Sequence, residues 1–515
     1  MDNALRNCFV ARIFNLFKSA YPRSLPGRLQ RGLLNYYDKS VTKRLLVLFL
    51  VVSPRIVYSG CYRLLKRFNA FLNRFNGLFS ESLAFSITKA RVFEGSAVFR
   101  LLSYLKPRGI LLIAFGLFLP LDVFVRDVIE IGFLSAVWDE ALLLVAALAV
   151  LLRRITAENP LKPKTTPIDA YLLLFIGVGL LLMAIVSPSA SIAFAGYRAV
   201  CQFMLWFFVV TRLIENDKDF MILYFTISIM AVAVALHGVY QYIVRAPMPE
   251  NWVAQAEATL RTRVYSITGS PNIMGALMVM TAPMLAALAY YLKPLWLKCL
   301  MWGGTFVCCL ATLFTFSRGA WFGLAIAVVV FALAVDRRLL LAAVCAVFGL
   351  VLFVPEISNR IGFLFTTEFA EANSTGGRGE RWEFGRMLIR SNPVFGFGLG
   401  RFGGAIAMQN QVIDGMNYFY MDNYYLKTLV EMGFVGLITY LYLLVNNLVW
   451  GLRAMFKTRR KSISALAAGL YSGAAGVLAH SFFENIFEVP YMNSYFWGFA
   501  AMIMYVGFLR RVTEK

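Results

Sequence analysis

The sequence is poor in the residues that build metal centres and disulfide frameworks. Among its 515 residues there are 7 cysteines and 2 histidines, and no two cysteines form a Cys-x-x-Cys pair. Most of the cysteines lie inside long apolar runs, where cysteine is typical of a small packing residue. We therefore expect neither a zinc site nor a disulfide framework in this protein.

Alternating polar and apolar segments of about ten residues, the pattern of a transmembrane barrel, are also missing. The sequence is instead broadly apolar: 59% of its residues are hydrophobic, and its mean hydropathy is +0.67. Many apolar runs approach or exceed the roughly 18 to 20 residues that a helix needs to cross a bilayer. These features predict an all-α polytopic membrane protein.

Twelve apolar runs are candidate membrane spans. They cover residues 109–126, 133–152, 168–187, 191–210, 220–240, 271–292, 297–316, 319–335, 339–354, 423–450, 464–483 and 491–509. Every second connection between these spans is basic, as is the C-terminal tail, and an excess of Lys and Arg marks cytoplasmic loops. Both termini are therefore predicted to be cytoplasmic. No cleavable signal peptide is expected, because the first residues lack an apolar core followed by a cleavage site.

Residues 1–108 form a basic region that precedes the transmembrane domain, 109–515. This region has 19 Lys and Arg against 4 Asp and Glu, interleaved with Phe, Leu and Tyr. Basic amphipathic stretches of this kind favour binding to anionic membrane lipids. Nucleic-acid binding is the competing interpretation of a basic arm, but the apolar partners count against it, so no nucleic acid is expected. A cytoplasmic partner protein is as open as the lipid surface.

The longest predicted outer loop, residues 355–422, is too long to be a simple turn, and such loops are usually functional. Within it, residues 376–392 have the spacing of a short amphipathic helix. The apolar side of this helix is predicted to consist of Trp382, Met387 and Leu388. Glycines 396, 398 and 400 follow, and they permit tight turns and close approach of the backbone to a ligand. A nucleotide phosphate loop is excluded, because no strand precedes them and no Gly-Lys-Ser/Thr sequence is present.

Several arginines collect at the predicted outer level, against the usual inside location of basic residues. They are Arg198, Arg263, Arg318, Arg378 and Arg381. The histidines His237 and His480 lie near outer ends of spans, and Glu484 follows one turn after His480. Charges at membrane depth are costly and usually face a cavity, a partner or a pathway. Snorkelling to lipid headgroups is the alternative for any single arginine, but it accounts poorly for five together.

An arginine-lined outer cavity suits a phosphate ligand, because guanidinium groups bind phosphate oxygens in pairs. A ligand that is both lipid-embedded and polyanionic explains why the arginines lie beside apolar helices. A polyprenyl pyrophosphate that carries a sugar meets both requirements.

Four segments resemble, in the same order, motifs of the O-antigen ligase and polymerase superfamily. The stretch "RVYSITGSPN" is similar to its Arg-x-Gly-x-x-x-Asn-Pro-Asn segment, with Ser270 in place of the first Asn. The stretch "FTFSRGAWFGL" matches its Ser-Arg-Gly-x-Trp hairpin. The stretch "GRGERWEFGRMLIRSNPVFGFGLGRF" resembles its Arg-x-x-x-Trp and glycine-rich loop, and "DNYYLKTLVEMGFVG" resembles the segment that follows. The resemblance covers about residues 190–510.

This resemblance implies a multi-helix membrane glycosyltransferase that needs no metal ion or other cofactor. Members of the superfamily use glycans carried on undecaprenyl pyrophosphate at the outer face of the bacterial inner membrane. Ligases pass the glycan to a lipid or protein acceptor, and polymerases pass it to the next repeat unit. The partners expected from the resemblance are therefore this lipid-linked glycan donor, a glycan, lipid or protein acceptor, and other polysaccharide-assembly proteins.

Asp422 stands where lipopolysaccharide ligases have the histidine proposed to act on the acceptor hydroxyl. An aspartate can also accept a proton, and the departure favours a polymerase or another exopolysaccharide transferase over a lipopolysaccharide ligase. The alternative for Asp422 and Asn423 is an N-cap at a helix start, and both can hold, with Asn423 as the cap and Asp422 facing the cavity. Lys427 and Glu431 are spaced to pair with each other on one helix face, which leaves a cavity role for Glu431 open.

We therefore expect an inverting glycosyl transfer at an arginine-lined site. The predicted catalytic residues are Asp422, Arg318 and Arg378. The predicted substrate-binding residues are Arg263, Arg198, Arg381, His480 and Glu431. A transporter of lipid-linked glycans is the rival class, although internal repeats, which such transporters usually have, are not evident. A structural anchor for an assembly complex is a third interpretation, which leaves the outer arginines without a role.

Overall fold

The computed structural model describes residues 107–156, 164–248, 262–367, 378–410, 412, 420–458 and 460–510. These residues form helices and connecting turns and contain no strand. Helices are expected here because a bilayer offers no partner for backbone N–H and C=O groups, which must pair within the segment. The all-α membrane fold is confirmed. The basic region 1–108 lies outside the described residues, apart from its last two.

Seventeen α-helices are assigned in the described residues. They are α1 Pro107–Gly116, α2 Phe118–Val123, α3 Gly132–Thr156, α4 Asp169–Val186, α5 Ala190–Cys201, α6 Trp206–Leu213, α7 Asp217–Ile243, α8 Pro271–Tyr291, α9 Leu295–Phe314, α10 Arg318–Ala334, α11 Arg338–Phe353, α12 Pro355–Gly362, α13 Arg378–Ser391, α14 Ala405–Gln409, α15 Tyr424–Lys457, α16 Lys461–His480 and α17 Pro490–Met504.

Each of the twelve predicted spans coincides with helix. In the described residues, nine helical segments are long and apolar enough to cross a membrane unaided, and bent pairs raise the number to as many as 11. The first pair, α1 with the helix Phe118–Ile129, bends by 78°, and the second, α11 with α12, bends by 93°. The remaining predicted span is α10, which is 17 residues long. The predicted span 109–126 runs through the first bend, and the span 339–354 ends at the second, because hydropathy carries no information on direction.

The described residues divide into two compact units. One contains 107–114 and 137–156, which are parts of α1 and α3, and the short segment 164–165. The other contains 115–136 and 166–510, and it includes every predicted site residue. Within the larger unit, α8 is almost completely buried and packs against α9 and α16, while α10 packs against both α16 and α8.

Glycine permits the close packing of α16 on α8. A Cβ atom at Gly473 would lie 2.1 Å from the carbonyl oxygen of Met280, which is closer than atoms can approach. Small residues at such positions let the backbones of membrane helices touch. The consequence for the site is geometric: α16 ends where α8, α10 and α15 begin, so their connecting segments meet at one end of the unit.

The helix α15 is broken at Gly433, where φ is 63° and ψ is −169°. The backbone groups released by the break pair with the glycine-rich loop: the N–H groups of Phe397 and Gly398 donate to the carbonyls of Val430 and Glu431 at 2.7 and 3.0 Å. From the other side of the break, Phe434 N–H donates to Pro393 at 2.8 Å. Irregular backbone at membrane depth is tolerated when protein satisfies it in this way.

The predicted amphipathic helix in 376–392 is confirmed as α13. Its Trp382 and Leu388 pack against a buried cluster made of Phe402, Met421 and Val430. Met387, which we assigned to the apolar side, is instead 54% exposed. Glycines 396, 398 and 400 have φ of 80°, 107° and 72°, which confirms the tight turns. The close approach that they permit is to protein backbone, since a Cβ at Gly396 would meet Glu431 and Gly433.

Candidate functional site

An acidic side chain between two arginines forms the centre of the candidate site. The Nε of Arg378 donates a hydrogen bond to Oδ2 of Asp422 at 2.5 Å, and Nη2 of Arg381 donates to the same oxygen at 3.2 Å. The two arginines lie one turn apart at the start of α13, so both guanidinium groups reach the same carboxylate. Asp422 is only 6% exposed, while both arginines are partly exposed. The group can therefore present positive charge to an incoming anion.

Asp422 precedes α15, and the helix cap is its neighbour. Asn423 Oδ1 accepts a hydrogen bond from the N–H of Leu426 at 3.0 Å, which is the N-cap geometry expected for Asn. The division of roles between the two residues at the helix start is thereby confirmed for Asn423. Asp422 Oδ1 is buried and has no hydrogen-bond partner among the described residues. One oxygen of Asp422 is thus held by arginines, and the other keeps its acceptor capacity.

The turn after α16, residues 481–485, joins Asp422 and its two arginines to the surrounding helices. Arg378 Nη2 donates to the carbonyl oxygen of Phe483 at 3.2 Å. The carbonyl of Ser481 accepts from the N–H of Tyr424 at 3.0 Å, which ties the start of α15 to the end of α16. The turn therefore contacts Arg378 directly and lies beside the segment that carries Asp422.

Arg263 reaches the same turn through an asparagine. Its Nη2 donates to Oδ1 of Asn272 at 3.2 Å, and Nδ2 of Asn272 donates to Oε2 of Glu484 at 2.5 Å. Arg263 also donates from Nε to the carbonyl of Thr315 at 2.9 Å, and it is only 8% exposed. Arg263 is thus almost covered by protein and contacts the hairpin between α9 and α10.

Glu484 is a buried carboxyl close to Asp422 and Arg378. Burial and the negative charge of Asp422 raise the pKa of Glu484, while Asn485 N–H, Arg378 and Asn272 act in the opposite direction. The N–H of Asn485 donates to Oε1 of Glu484 at 3.0 Å. Burial and the nearby Glu484 charge also raise the pKa of Tyr420, whose side chain is hydrogen-bonded to Glu484. The carboxyl of Glu484 is therefore a second acidic group beside Asp422 and Arg378.

Arg318 begins α10 at the predicted hairpin, where Ser317 caps the helix by accepting from Ala320 N–H at 3.4 Å. The Nε of Arg318 donates to the carbonyl of Arg360 at 3.3 Å, and its guanidinium carbon lies 5.4 Å from the ring centre of Phe363. The next residue, Gly319, packs against Phe483 and His480. Arg378 and, through Asn272, Arg263 thus reach the turn that follows α16, and Arg318 is joined to it by its neighbour Gly319.

His480 is completely buried at the end of α16. A Cβ added to Gly319 would lie 2.7 Å from its Cδ2, so the ring is sealed beneath α10. Neither ring nitrogen of His480 has a hydrogen-bond partner among the described residues. His480 is therefore near the site, but its ring forms no hydrogen bond with Asp422 in the described residues.

Two further predicted residues lie apart from the arginine group. The Oε2 of Glu431 accepts from Nζ of Lys427 at 2.8 Å, which confirms that the two residues pair, and its Oε1 accepts from the N–H of Phe402 at 3.2 Å. Both side chains of the pair are buried. Arg198 is exposed on α5. The structure therefore brings Arg263, Arg318, Arg378, Arg381 and Asp422 to one end of the bundle and leaves Arg198 on the surface.

Sequence reasoning missed two residues of the group, Asn272 and Glu484. Asn272 is the last residue of the "RVYSITGSPN" stretch, and Glu484 follows His480 by one turn, so both were visible but unassigned. In the described part of the chain, no group of three or more His, Cys, Asp or Glu side chains is placed to hold a metal ion.

Comparison with known protein families matches one segment of the chain. Residues 303–441 match the family model described as O-Antigen ligase. The matched segment runs from α9 into α15 and contains Arg318, Arg378, Arg381 and Asp422. No curated protein matches the chain at a significant level. The family match agrees with the four motifs and with the multi-helix fold, and it supports the resemblance of this membrane protein to the O-antigen ligase and polymerase superfamily.

Proposed function

We propose that this protein is an inverting glycosyltransferase that extends a polysaccharide from a polyprenyl-pyrophosphate-linked donor. The observation that carries the proposal is the Asp422 carboxylate held by Arg378 and Arg381 inside the segment that matches the O-antigen ligase family. In this arrangement, groups that can bind a diphosphate stand next to a group that can accept a proton. A glycosyl transfer from a diphosphate carrier needs both.

The donor diphosphate binds to Arg378 and Arg318, with Arg381 beside them and Arg263 behind. Guanidinium groups suit this task because they form paired, charge-assisted hydrogen bonds with phosphate oxygens. Arg378 is bonded to Asp422 and to the Phe483 carbonyl, so its position is set before the donor arrives. Preorganised positive charge of this kind stabilises the charge that develops on the leaving diphosphate.

The acceptor hydroxyl binds at Asp422. Its proton passes to Oδ1, the oxygen that no described residue occupies, while Oδ2 stays with the arginines. The hydroxyl oxygen forms a new bond to the anomeric carbon of the donor sugar, and the bond from that carbon to the diphosphate oxygen breaks. Polyprenyl pyrophosphate leaves as an anion, and Asp422 later returns the proton to solvent. Attack from the side opposite the leaving group inverts the anomeric centre.

The reaction takes place at the outer face of the bacterial inner membrane, with both termini cytoplasmic. The basic connections at the opposite ends of the helices support this orientation. Arg212 and Lys218, Lys293 and Lys298, and Arg337 and Arg338 lie in three of these connections. The basic region 1–108 is then cytoplasmic, where it can bind anionic lipids or other polysaccharide-assembly proteins.

A polymerase is favoured over a ligase because Asp422 stands where the lipopolysaccharide ligases have histidine. The ligase remains the second candidate, since the matched family model is described as O-Antigen ligase. Deletion of the gene followed by analysis of the surface glycan separates the two. Single-repeat products mean a polymerase, whereas free lipid-linked polymer means a ligase, and donor trapped on the inner leaflet means a flippase.

The direct test is turnover by purified protein in detergent with a lipid-linked donor and its acceptor. An enzyme needs no sealed membrane, so product should form, and Arg378→Ala should abolish it. Arg386→Ala is the matched control, because Arg386 lies on the same helix, is 57% exposed and pairs only with the exposed Glu383 among the ion pairs of the described residues. Unchanged polymer length and amount in Arg378→Ala and Arg318→Ala would refute the proposal.

A further inference from the structure

The hairpin between α9 and α10 is held through the backbone carbonyls of residues 314–316. In chain order, these three carbonyls accept hydrogen bonds from the N–H of Val264 at 3.1 Å, from Nε of Arg263 at 2.9 Å and from Nε of Arg360 at 3.2 Å. The first two donors lie in the segment before α8, whereas Arg360 lies on α12. The side chain of Arg360 therefore connects the hairpin to α12.

Phe316, the residue that Arg360 holds, has a left-handed backbone, with φ of 49°. This conformation is unfavourable for a residue with a side chain, and it persists only where the surroundings hold it. The ring of Phe316 is 4% exposed, and its N–H donates to the carbonyl of Leu313 at 3.0 Å. Because α10 begins two residues later, the direction of the chain at Phe316 determines where Arg318 lies.

The side chain of Arg318 is itself oriented by α12 and the turn after it. Its Nε donates to the backbone carbonyl of Arg360 at 3.3 Å, while the side chain of Arg360 holds the carbonyl of Phe316. The guanidinium carbon of Arg318 lies 5.4 Å from the ring centre of Phe363, in the short 3₁₀ turn that follows α12. A bond from Nε together with a ring beside the group fixes the plane of a guanidinium as well as its position.

The two arginines differ in what they can reach. Arg360 is 9% exposed and lies on the buried face of α12 with Ile357, three residues before it. Arg318 is partly exposed. A buried charge is costly unless it is hydrogen-bonded, and Arg360 is bonded to the hairpin. Of the two, Arg318 is therefore the one that a ligand can contact.

The start of α10 lies against the turn that contacts Arg378. A Cβ added to Gly319 would lie 2.9 Å from Cβ of Phe483, and the carbonyl of Phe483 accepts from Nη2 of Arg378 at 3.2 Å. A shift of the hairpin would therefore move Arg318 relative to Arg378. These are the two arginines that we assign to the donor diphosphate.

We propose that Arg360 is a positioning residue for the glycosyl transfer, whose hydrogen bond to the Phe316 carbonyl sets the hairpin from which Arg318 binds the donor diphosphate. This inference rests on the function proposed above. It gives α12, in the longest outer loop, the task of fixing one side of the donor site.

The test compares Arg360→Gln with Arg360→Met in purified protein in detergent, with the lipid-linked donor and its acceptor varied in turn. The amide nitrogen of glutamine follows Cβ, Cγ and Cδ, as Nε of arginine does, so it can donate to the Phe316 carbonyl without a charge. Methionine has a similar length and no donor. A misplacement of about 1 Å can cost about 10²-fold, so Arg360→Met should lower kcat/KM for the donor about 10- to 100-fold.

The KM of the acceptor should stay unchanged in Arg360→Met, because Arg318 is assigned to the donor. Arg360→Gln should keep kcat/KM for the donor within about threefold of the wild-type value, since the hydrogen bond is retained. Equal losses in the two variants would overturn the proposal, because the donor would then need the charge of Arg360. Wild-type kcat/KM in Arg360→Met would also overturn it. If Arg360→Met yields no folded protein, a loss of more than about tenfold in folded Arg360→Gln decides against the proposal.

The Arg318→Lys background shows whether Arg360 acts through Arg318. Lysine keeps the charge but not the planar group that α12 orients. Effects of residues in contact are not additive, so in this background Arg360→Met should cost no more than about threefold in kcat/KM for the donor. The full loss seen in the otherwise wild-type protein would mean that Arg360 acts independently of Arg318, and it would overturn the proposal.

Arg212→Met is the matched control for a buried arginine that has only a structural role. The side chain of Arg212 is 12% exposed and pairs with Asp169 at 3.7 Å. Its Nη1 donates to the carbonyl of Phe208 at 3.0 Å, and its guanidinium carbon lies 5.4 Å from the centre of that ring. Arg212 precedes α7, at the opposite end of that helix from the segment with Arg263. Arg212→Met should unfold at lower temperature with unchanged kcat/KM, and a loss equal to that of Arg360→Met would overturn the proposal.

The experiment separates this proposal from the proposed function. Wild-type protein that forms no product from the lipid-linked donor refutes the proposed function. Active wild-type protein with an unaffected Arg360→Met variant refutes only the role of Arg360.

Discussion

The buried pair of Lys427 and Glu431 allows a quantitative prediction about α15. Their charged atoms are 2.8 Å apart, and the side chains are 6% and 2% exposed. At an effective dielectric constant of about 20, this attraction is worth about 6 kcal/mol before desolvation is counted. Lys427→Met removes the attraction and leaves Glu431 buried without its counter-ion. We expect a loss of about 3 to 5 kcal/mol in the free energy of unfolding, the usual cost of breaking a buried pair from one side.

The companion variant Lys427→Met/Glu431→Gln removes both charges and keeps an oxygen to accept from Phe402 N–H. We expect it to recover more than half of the lost stability, because no uncompensated charge remains. Unfolding is followed by denaturant titration in mixed micelles, with turnover measured on the same preparations. A double variant less stable than Lys427→Met would refute this account. A stable but inactive double variant would support the predicted substrate-binding role of Glu431, whereas wild-type activity would exclude it.

Three further outcomes are expected. Asp422→Asn should reduce turnover about 10²- to 10⁴-fold with little change in protein level, because the amide keeps the shape and cannot take the proton; equal turnover would contradict the assignment. Gly433→Ala should lower the yield of folded protein measured by size-exclusion chromatography, because φ is positive there and the new Cβ would lie 2.3 Å from the Val394 carbonyl. Arg263→Lys should lower the unfolding temperature, since one ammonium group cannot reproduce the bonds to both Thr315 and Asn272.

Hydrophobic runs predicted the helices well, because their length is set by the bilayer. The cap at Asn423, the helix α13 and the pairing of Lys427 with Glu431 were also predictable, since each depends on neighbours within one helical turn. The 93° bend between α11 and α12 was not, because hydropathy carries no information on direction.

The site was predictable only in part. The outer arginines were suggested by their position against the usual charge bias. Arg263 is nearly covered, and it reaches Glu484 through Asn272. Both facts depend on contacts between segments that are more than 200 residues apart in the sequence. A single sequence does not encode such pairings in its local pattern. Arg198 shares the predicted membrane level with the others, but its helix α5 presents it at the surface.

The break at Gly433 changes what determines the location of the acid. Only about two turns of α15 lie between Asp422 and the break, and their last carbonyls are bonded to the glycine-rich loop. Asp422 therefore precedes a short helical segment that is hydrogen-bonded to that loop, while Arg318 lies on α10 and Arg263 lies in the connection before α8. Lengthening the loop by one residue would displace the proton acceptor Asp422 relative to Arg263 and Arg318 and leave these two arginines in place. In such a protein, donor binding and acceptor activation could be altered one at a time.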